Sequence, residues 1–222
     1  MRYTLIQRGG KMEYPLEFKH LLKRYPALES RGDEIARAGE LLRKTVEQGG
    51  KILVCGNGGS AADADHITGE LAKSFCKKRP IDPLLAEKLR ALDSERGARL
   101  AAALQGGIPA LNLTGHTALT TAFGNDVDPL LVYAQQTFVY GNAGDLFWGI
   151  TTSGNAKNVY YAALTARAKG ISVLGLTGSS GGLLKALCDV CVTVPAEETY
   201  MVQELHLPVY HALCLYLEGS FW

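Results

Sequence analysis

Two stretches of this chain carry groups suited to proton transfer. In Asp63-Ala64-Asp65-His66-Ile67-Thr68-Gly69-Glu70, His66 and Glu70 are four residues apart, hence on one face of a helix. Such a pair can share a proton or bind one metal ion. As an ordinary surface pair it would contribute only about 0.2–0.5 kcal/mol to the helix. Near the C-terminus, Gln203, Glu204, His206 and His211 fall in one helical stretch. Gln203 and His211 are about 12 Å apart along a helix axis, so one small ion meets both only where the side chains lean together. Pro208 stands between them and must kink the helix or free a carbonyl. His211 lies among Val209, Leu213 and Leu215, a setting that also suits a core histidine.

Two loops are suited to a phosphate. Gly56-Asn57-Gly58-Gly59-Ser60 follows the apolar run KILVC and precedes a helix that starts near Ala61. Its glycines permit positive φ and close backbone approach. Ser60 can cap the helix or bind an anion, and the N–H groups of the helix start would face that anion. Thr151-Thr152-Ser153-Gly154-Asn155 also separates a strand from a helix. Its three hydroxyls and a glycine suit a phosphate held without a lysine. Either loop alone could be a tight turn or a simple N-cap. Together, at the C-terminal ends of strands, they stand where open α/β sheets place ligands. Neither is followed by GK[ST] and neither fits GxGxxG, so no nucleotide cofactor is expected. A third loop, Gly178-Ser179-Ser180-Gly181-Gly182, reads as a strand-to-helix turn.

The elements that must position these groups are legible in the hydrophobic pattern. Residues 16–25 and 32–48 predict helices; in the second, Ile35, Ala38, Leu41, Leu42 and Val46 recur at helical spacing. Residues 51–55, 108–113, 146–151, 171–177 and 190–194 predict strands, and 156–169, 182–187 and 198–218 predict helices. This alternation is the signature of an α/β fold, a three-layer α/β/α sandwich around a parallel doubly wound sheet. We expect a single domain over 1–222, with an N-terminal helical segment at about 13–48. A charged helical segment at about 77–106, interrupted at Gly97, is expected as a surface insertion or an oligomer contact. Aromatic and leucine residues of 210–221 are expected to meet a neighbouring subunit.

Composition bounds the rest. The chain has 222 residues, 23 Lys+Arg against 22 Asp+Glu. It offers no basic field for nucleic acid and no apolar run long enough to span a membrane, and the N-terminus shows no signal-peptide pattern. The five cysteines, an odd number mostly within apolar runs, are expected as reduced thiols of a cytoplasmic protein. Cys188 and Cys191 form a CxxC without a second pair, and it leads into a strand rather than a helix.

The joint pattern of KILVCGNGGSAADADHITGEL, GDLFWGITTSGNAKNV, VLGLTGSSGG and VQELHLPVYHAL resembles the sugar isomerase (SIS) domain family, most closely its sedoheptulose 7-phosphate isomerases. The resemblance implies the SIS fold, a sugar-phosphate substrate and homotetramers with sites at subunit interfaces. It implies that Asn57, Gly58, Gly59, Ser60, Thr151, Thr152, Ser153 and Asn155 cradle the sugar phosphate, with Asp126 and Gln203 as further substrate contacts. Glu70 and His211 match the acid/base pair, and His66, Glu70, Gln203 and His211 match four positions that hold one zinc per subunit in some members. The family's second loop serine is Ala156 here. An expected Asp and Arg ahead of Gln203 are Glu198 and Met201, and an Arg expected after Glu70 is Ser74.

The chemistry implied is ketose–aldose isomerisation, in which a base removes a proton beside the carbonyl and an acid or metal stabilises the enediolate oxygen. Two other readings belong to the same resemblance: a non-catalytic protein that binds a replication initiator, and a sugar-phosphate sensor. Retention of both Glu70 and His211 favours the enzyme, and the absence of a basic recognition helix disfavours the sensor.

Overall fold

The computed structural model describes residues 6–8 and 11–222. At the N-terminus β1 (Ile6–Arg8) and β2 (Lys11–Glu13) form an antiparallel hairpin that the sequence pattern does not suggest. The remaining strands are short apolar runs, each followed by a glycine-bearing or polar loop: β3 (Ile52–Cys55), β4 (Ala110–Asn112), β5 (Leu146–Thr151), β6 (Ser172–Thr177) and β7 (Val190–Thr193). They pair in parallel in the order β4-β3-β5-β6-β7. Every residue of β3 and β5 is buried, which is why these runs read as continuously apolar rather than alternating.

Alternate residues of the strands feed two cores. Ile52, Val54, Trp148, Ile150 and Leu174 pack with Phe18, Ile35, Leu42, Ile67 and Leu213. Those partners come from α1 (Leu16–Arg24), α2 (Gly32–Glu47), α3 (Gly59–Ala72) and α9 (Thr199–Phe221). Leu53, Cys55, Phe147 and Val173 face the other way, against Tyr133, Val159, Ala162 and Ala166. These belong to α7 (Val132–Tyr140) and α8 (Lys157–Ala168). The three layers expected from the sequence are present. From β3 the chain crosses to β4 on one side of the sheet and later to β5 on the other. The direction of winding therefore reverses between β3 and β5, and the loops after these two strands open into the crevice where ligands of such sheets sit.

Four expectations change. The 77–106 segment is two helices, α4 (Pro83–Leu92) and α5 (Arg96–Ala103), and the break lies at 93–95, not at Gly97. Asp93 accepts from the backbone N–H of Glu95 and Arg96 and so starts α5. Gly97 lies within α5, where a Cβ would overlap the Leu89 carbonyl oxygen, so it permits the two helices to touch. Tyr210, Leu213, Tyr216 and Leu217 of the last helix are buried against the chain's own core, not offered to a neighbour. The helix expected at 182–187 is one 3-10 turn, Leu184–Leu187. Finally, α6 (Thr117–Asp126) and α7 fall where the hydrophobic pattern predicts no element; α6 buries no residue, so its sequence carries no apolar stripe.

All five cysteines are unpaired, and Cys191 lies in β7 with Cys188 just before it. Among the described residues no helix is long and apolar enough to cross a membrane. The last helix runs unbroken through the buried Pro208, which leaves the Glu204 carbonyl without its usual helical donor.

His206 of α9 is fully buried, with neither ring nitrogen hydrogen-bonded, and burial drives its pKa down to about 4, the Thr177 backbone opposing the shift. Its unfolded value is about 6.5. Below that pH the unfolded chain binds a proton that the native state refuses, so stability falls with acidification until about pH 4, the folded value. Between pH 7 and pH 5 this one group should remove about 2 kcal/mol. Urea unfolding at the two pH values should show a loss smaller by that amount in His206→Gln than in the parent.

Candidate active site

Helices α3 and α9 pack side by side and run in the same direction. Gly59, at the start of α3, lies against the Gln203 amide at the start of α9, and His66, two turns on, meets the His211 ring. The pair of helices thus has a polar end at their N-termini and a titratable end about 10 Å further along.

The polar end is a cavity of about 420 Å³ lined by Asn57, Gly58, Gly59, Ser60, Thr151, Thr152, Ser153, Ala156, Thr199 and Gln203, with Ile150 behind. The first turns of α3 and α9 and the cap residue of α8, Ala156, all border it. Three helix N-termini bring unsatisfied N–H groups and positive dipole ends to one place, so an anion is favoured although no lysine or arginine lines the cavity. Gly58 has φ +53, which favours glycine, and a Cβ on Gly59 would displace the Gln203 side-chain amide. The backbone thus calls for glycine at 58, and glycine at 59 leaves the Gln203 amide beside the turn ahead of Ser60, itself buried.

The third glycine-rich loop does more than turn the chain. The Leu184 N–H donates to the Gly154 carbonyl (3.0 Å) and the Gly178 N–H to the Thr152 carbonyl (2.9 Å). It therefore braces the phosphate loop from behind. Asn155 belongs to this brace: its Oδ1 accepts from the Leu183 N–H and its Nδ2 donates to the Ser153 carbonyl, and it does not line the cavity. Asn57 exchanges two amide hydrogen bonds with Asn158 (2.9 and 2.8 Å), while the Tyr133 hydroxyl donates to the Gly56 carbonyl. Asp126 is exposed at the end of α6, where its Oδ1 accepts from Asn125; within one chain it is not part of the cavity lining.

At the other end Glu70 and His66 approach to 3.4 Å between Oε1 and Nε2. The second Glu70 oxygen accepts from Lys73 Nζ at 3.2 Å. His66 and His211 meet edge to face with ring centroids 5.0 Å apart. The His211 Nε2 is buried without a hydrogen-bond partner. Burial lowers the His211 pKa, the His66 charge and Arg24 add to this and Glu70 opposes it, so the ring is neutral at pH 7. On its far side His66 Nδ1 lies 3.0 Å from the Tyr210 hydroxyl. Burial, then the Asp63 carboxyl, raise the Tyr210 pKa, and burial raises that of Asp63. Asp63, Tyr210, His66 and Glu70 thus form a polar row across the two helices.

Two imidazoles and a carboxylate form a donor set that suits zinc, and the orphaned His211 nitrogen is a free donor. Among the described residues no three His, Cys, Asp or Glu side chains are arranged as ligands about one point. Gln203 is placed with the loops of the polar cavity, two helical turns from His211.

The SIS domain profile matches residues 13–106. The phosphoheptose isomerase of Rhodospirillum rubrum is 37% identical over 186 residues, covering 84% of this chain and 85% of that protein. The chain belongs to the phosphoheptose isomerase family. The phosphoheptose isomerase of Aneurinibacillus thermoaerophilus is 39% identical over 179 residues, 81% of this chain and 77% of that one. The solved structure of phosphoheptose isomerase from Neisseria gonorrhoeae superposes with a TM-score of 0.70 at 31% identity, covering 90% of this chain and 96% of that one.

Asp63, Tyr133, Asn158 and Tyr210 are neighbours of the candidate site that sequence pattern does not assign a role. Asp63 stands in the motif itself, three residues before His66 and so on its face of the helix. The others come from distant segments, 77, 101 and 144 residues from their partners, and no local pattern links them.

Proposed function

We propose that this chain interconverts a ketose phosphate and an aldose phosphate, with sedoheptulose 7-phosphate and a heptose 7-phosphate as the pair its relatives favour. The observation that carries the reading is the pairing of two ends on parallel helices. A cationless cavity bordered by three helix N-termini suits the phosphate, and Glu70 with His211 stands two to three turns away. Ser60 and Glu70 are ten residues apart on α3, about 15 Å along the axis. The Glu70 side chain leans toward the helix N-terminus, so an extended sugar chain spans the remainder, and its remote phosphate supplies orientation at the reacting carbons.

In this mechanism the phosphate is held by the N–H groups of Gly58 and Gly59 and by the Ser60, Thr151 and Ser153 hydroxyls. The Glu70 carboxylate takes the proton from the carbon beside the carbonyl and returns it to the neighbouring carbon. His211, neutral at pH 7, moves the proton between the two oxygens of the enediolate through its ring nitrogen. Lys73 holds the second Glu70 oxygen, and the Tyr210 hydroxyl fixes which His66 nitrogen faces Glu70. For zinc to bind, the His66, Glu70 and His211 side chains would have to turn toward one point; bound there, it would supply Lewis-acid stabilisation of the enediolate oxygen.

The test is turnover of sedoheptulose 7-phosphate by the purified protein, with and without zinc and a chelator. Turnover is expected; its absence with intact phosphate binding would overturn the substrate assignment. Chelator-sensitive turnover restored by zinc would support the metal, and indifference to both would leave acid/base catalysis alone. The unpaired cysteines favour a reducing compartment, the cytoplasm. Exposed Leu16 and Leu207 at the rim of a cavity of about 600 Å³ that reaches His211 favour burial against a neighbouring subunit. Light scattering should give four chains, and a monomer would overturn the homotetramer.

A further inference from the structure

Arg79 and Glu218 form an ion pair at 2.8 Å with side chains 0% and 1% exposed. Taking two charges out of water is costly, and a packed apolar pair is often as stable or more so. Glu218 adds a second cost, because it puts an anion in the last turns of a helix, the wrong end of the dipole. What the pair contacts is therefore informative.

Arg79 donates to the Leu71 carbonyl at 2.9 Å and to the Glu70 carbonyl at 3.1 Å. These are two of the last carbonyls of α3, which have no helical donor, so the guanidinium caps the turn that bears the Glu70 side chain. Its plane also lies over the Trp222 ring at 4.8 Å. Glu218 accepts from three successive backbone N–H groups, those of Phe75, Cys76 and Lys77, at 2.9, 2.9 and 3.0 Å. Burial raises the Glu218 pKa, but these N–H groups and Arg79 outweigh it and hold the carboxyl below its usual range. The segment so fixed carries Phe75, whose ring packs on His211 with centroids 5.6 Å apart. One end of the lock thus holds the backbone of Glu70 and the other holds the ring that backs His211.

We propose that the buried Arg79–Glu218 pair consists of positioning residues for the isomerisation, setting Glu70 and His211 in register across α3 and α9. Arg79, which caps α3, and Glu218, near the end of α9, are 139 residues apart in the sequence, and their pair ties the two helix termini together directly. The helical hairpin α4–α5 hangs from the same neck. The Gly106 N–H donates to the Arg79 carbonyl, Pro80 and Gln105 form a bridge, and the Gln105 amide oxygen accepts from the Ser74 N–H. The lock therefore sits where the inserted segment joins the site. The polar cavity lies at the other end of α3, and its lining includes none of these residues.

This inference rests on Glu70 and His211 being the reacting groups, so Glu70→Gln and His211→Ala serve as benchmarks. The test variants are Arg79→Lys, which keeps the charge but loses the fork, and the double apolar replacement Arg79→Met with Glu218→Leu. Steady-state kinetics on sedoheptulose 7-phosphate and thermal unfolding are measured for each. A fall in kcat of about 10–100-fold, the range given for loss of a supporting partner behind a functional side chain, with KM within threefold, is expected in protein that is fully folded at the assay temperature, although the melting temperature of the double variant falls because backbone groups lose their partners. Parental kcat in a folded double variant would overturn the proposal. So would a loss of kcat that only tracks a loss of folded protein. Should the double variant not fold, Arg79→Lys decides alone: lowered kcat in protein that is fully folded at the assay temperature supports positioning, and parental kcat overturns it. Full activity in the two benchmarks would instead overturn the site assignment on which the proposal stands.

Discussion

Glu70→Gln is expected to lower kcat by about 10²–10⁴-fold, the contribution typical of a positioned general base, and His211→Ala to do the same. The amide is isosteric with the carboxylate, so packing in α3 survives, and the affected atoms lie two to three turns from the polar cavity. Affinity for inorganic phosphate, measured by calorimetry, should therefore stay within about threefold of the parent's, a change of under about 1 kcal/mol. The Glu70 variant also loses its charge toward Lys73 and His66. Both partners are exposed and such pairs are worth about 1 kcal/mol or less each, so the melting temperature should move little. Loss of turnover with retained phosphate binding and fold is the expected combination. Full activity in either variant would sink the acid/base assignment.

Gly154→Ala should have the complementary effect. Gly154 has φ +68, where side chains other than glycine's are strained, and its added Cβ would overlap the Gly181 carbonyl oxygen. That oxygen belongs to backbone braced by the adjoining loop, which has no flexible side-chain end to yield. Unusual φ and overpacking each cost about 1–3 kcal/mol, and relief comes only by parting the two loops. Parting them moves Thr152 and Ser153 out of the cavity wall. Weakening the hold on phosphate by about 1.4 kcal/mol is tenfold in affinity, so KM should rise about tenfold or more. The fall in kcat should be smaller, because Glu70 and His211 are far from the loop. Kinetics in which kcat falls and KM stays constant would show that the loop does not hold the substrate.

Much of the fold can be read from local pattern. The strands of residues 146–151 and the helices before KILVC are periodic or continuously apolar because one or both faces meet a core. The hairpin of β1 and β2, the helices α6 and α7 and the break at Asp93 are not legible. Each is short, and α6 buries nothing, so hydrophobic periodicity has no signal to give. Gly97 misleads for a physical reason: a glycine inside a helical pattern looks like a stop, but here it answers a neighbouring backbone.

Sequence by itself determined the chemistry available. The glycines and hydroxyls after β3 and β5 and the four-residue spacing of His66 and Glu70 are local facts, and side-chain direction in a turn or helix follows from a few neighbouring dihedrals. Only the tertiary structure decided which groups share a place. It put Gln203 with the loops rather than with His211 and left Asp126 and Asn155 off the cavity wall. It turned Tyr210 and Tyr216 inward and brought Arg79 to Glu218 across 139 residues. Such pairings depend on how helices pack on a sheet, and no spacing along the chain encodes a contact that only the folded core brings together.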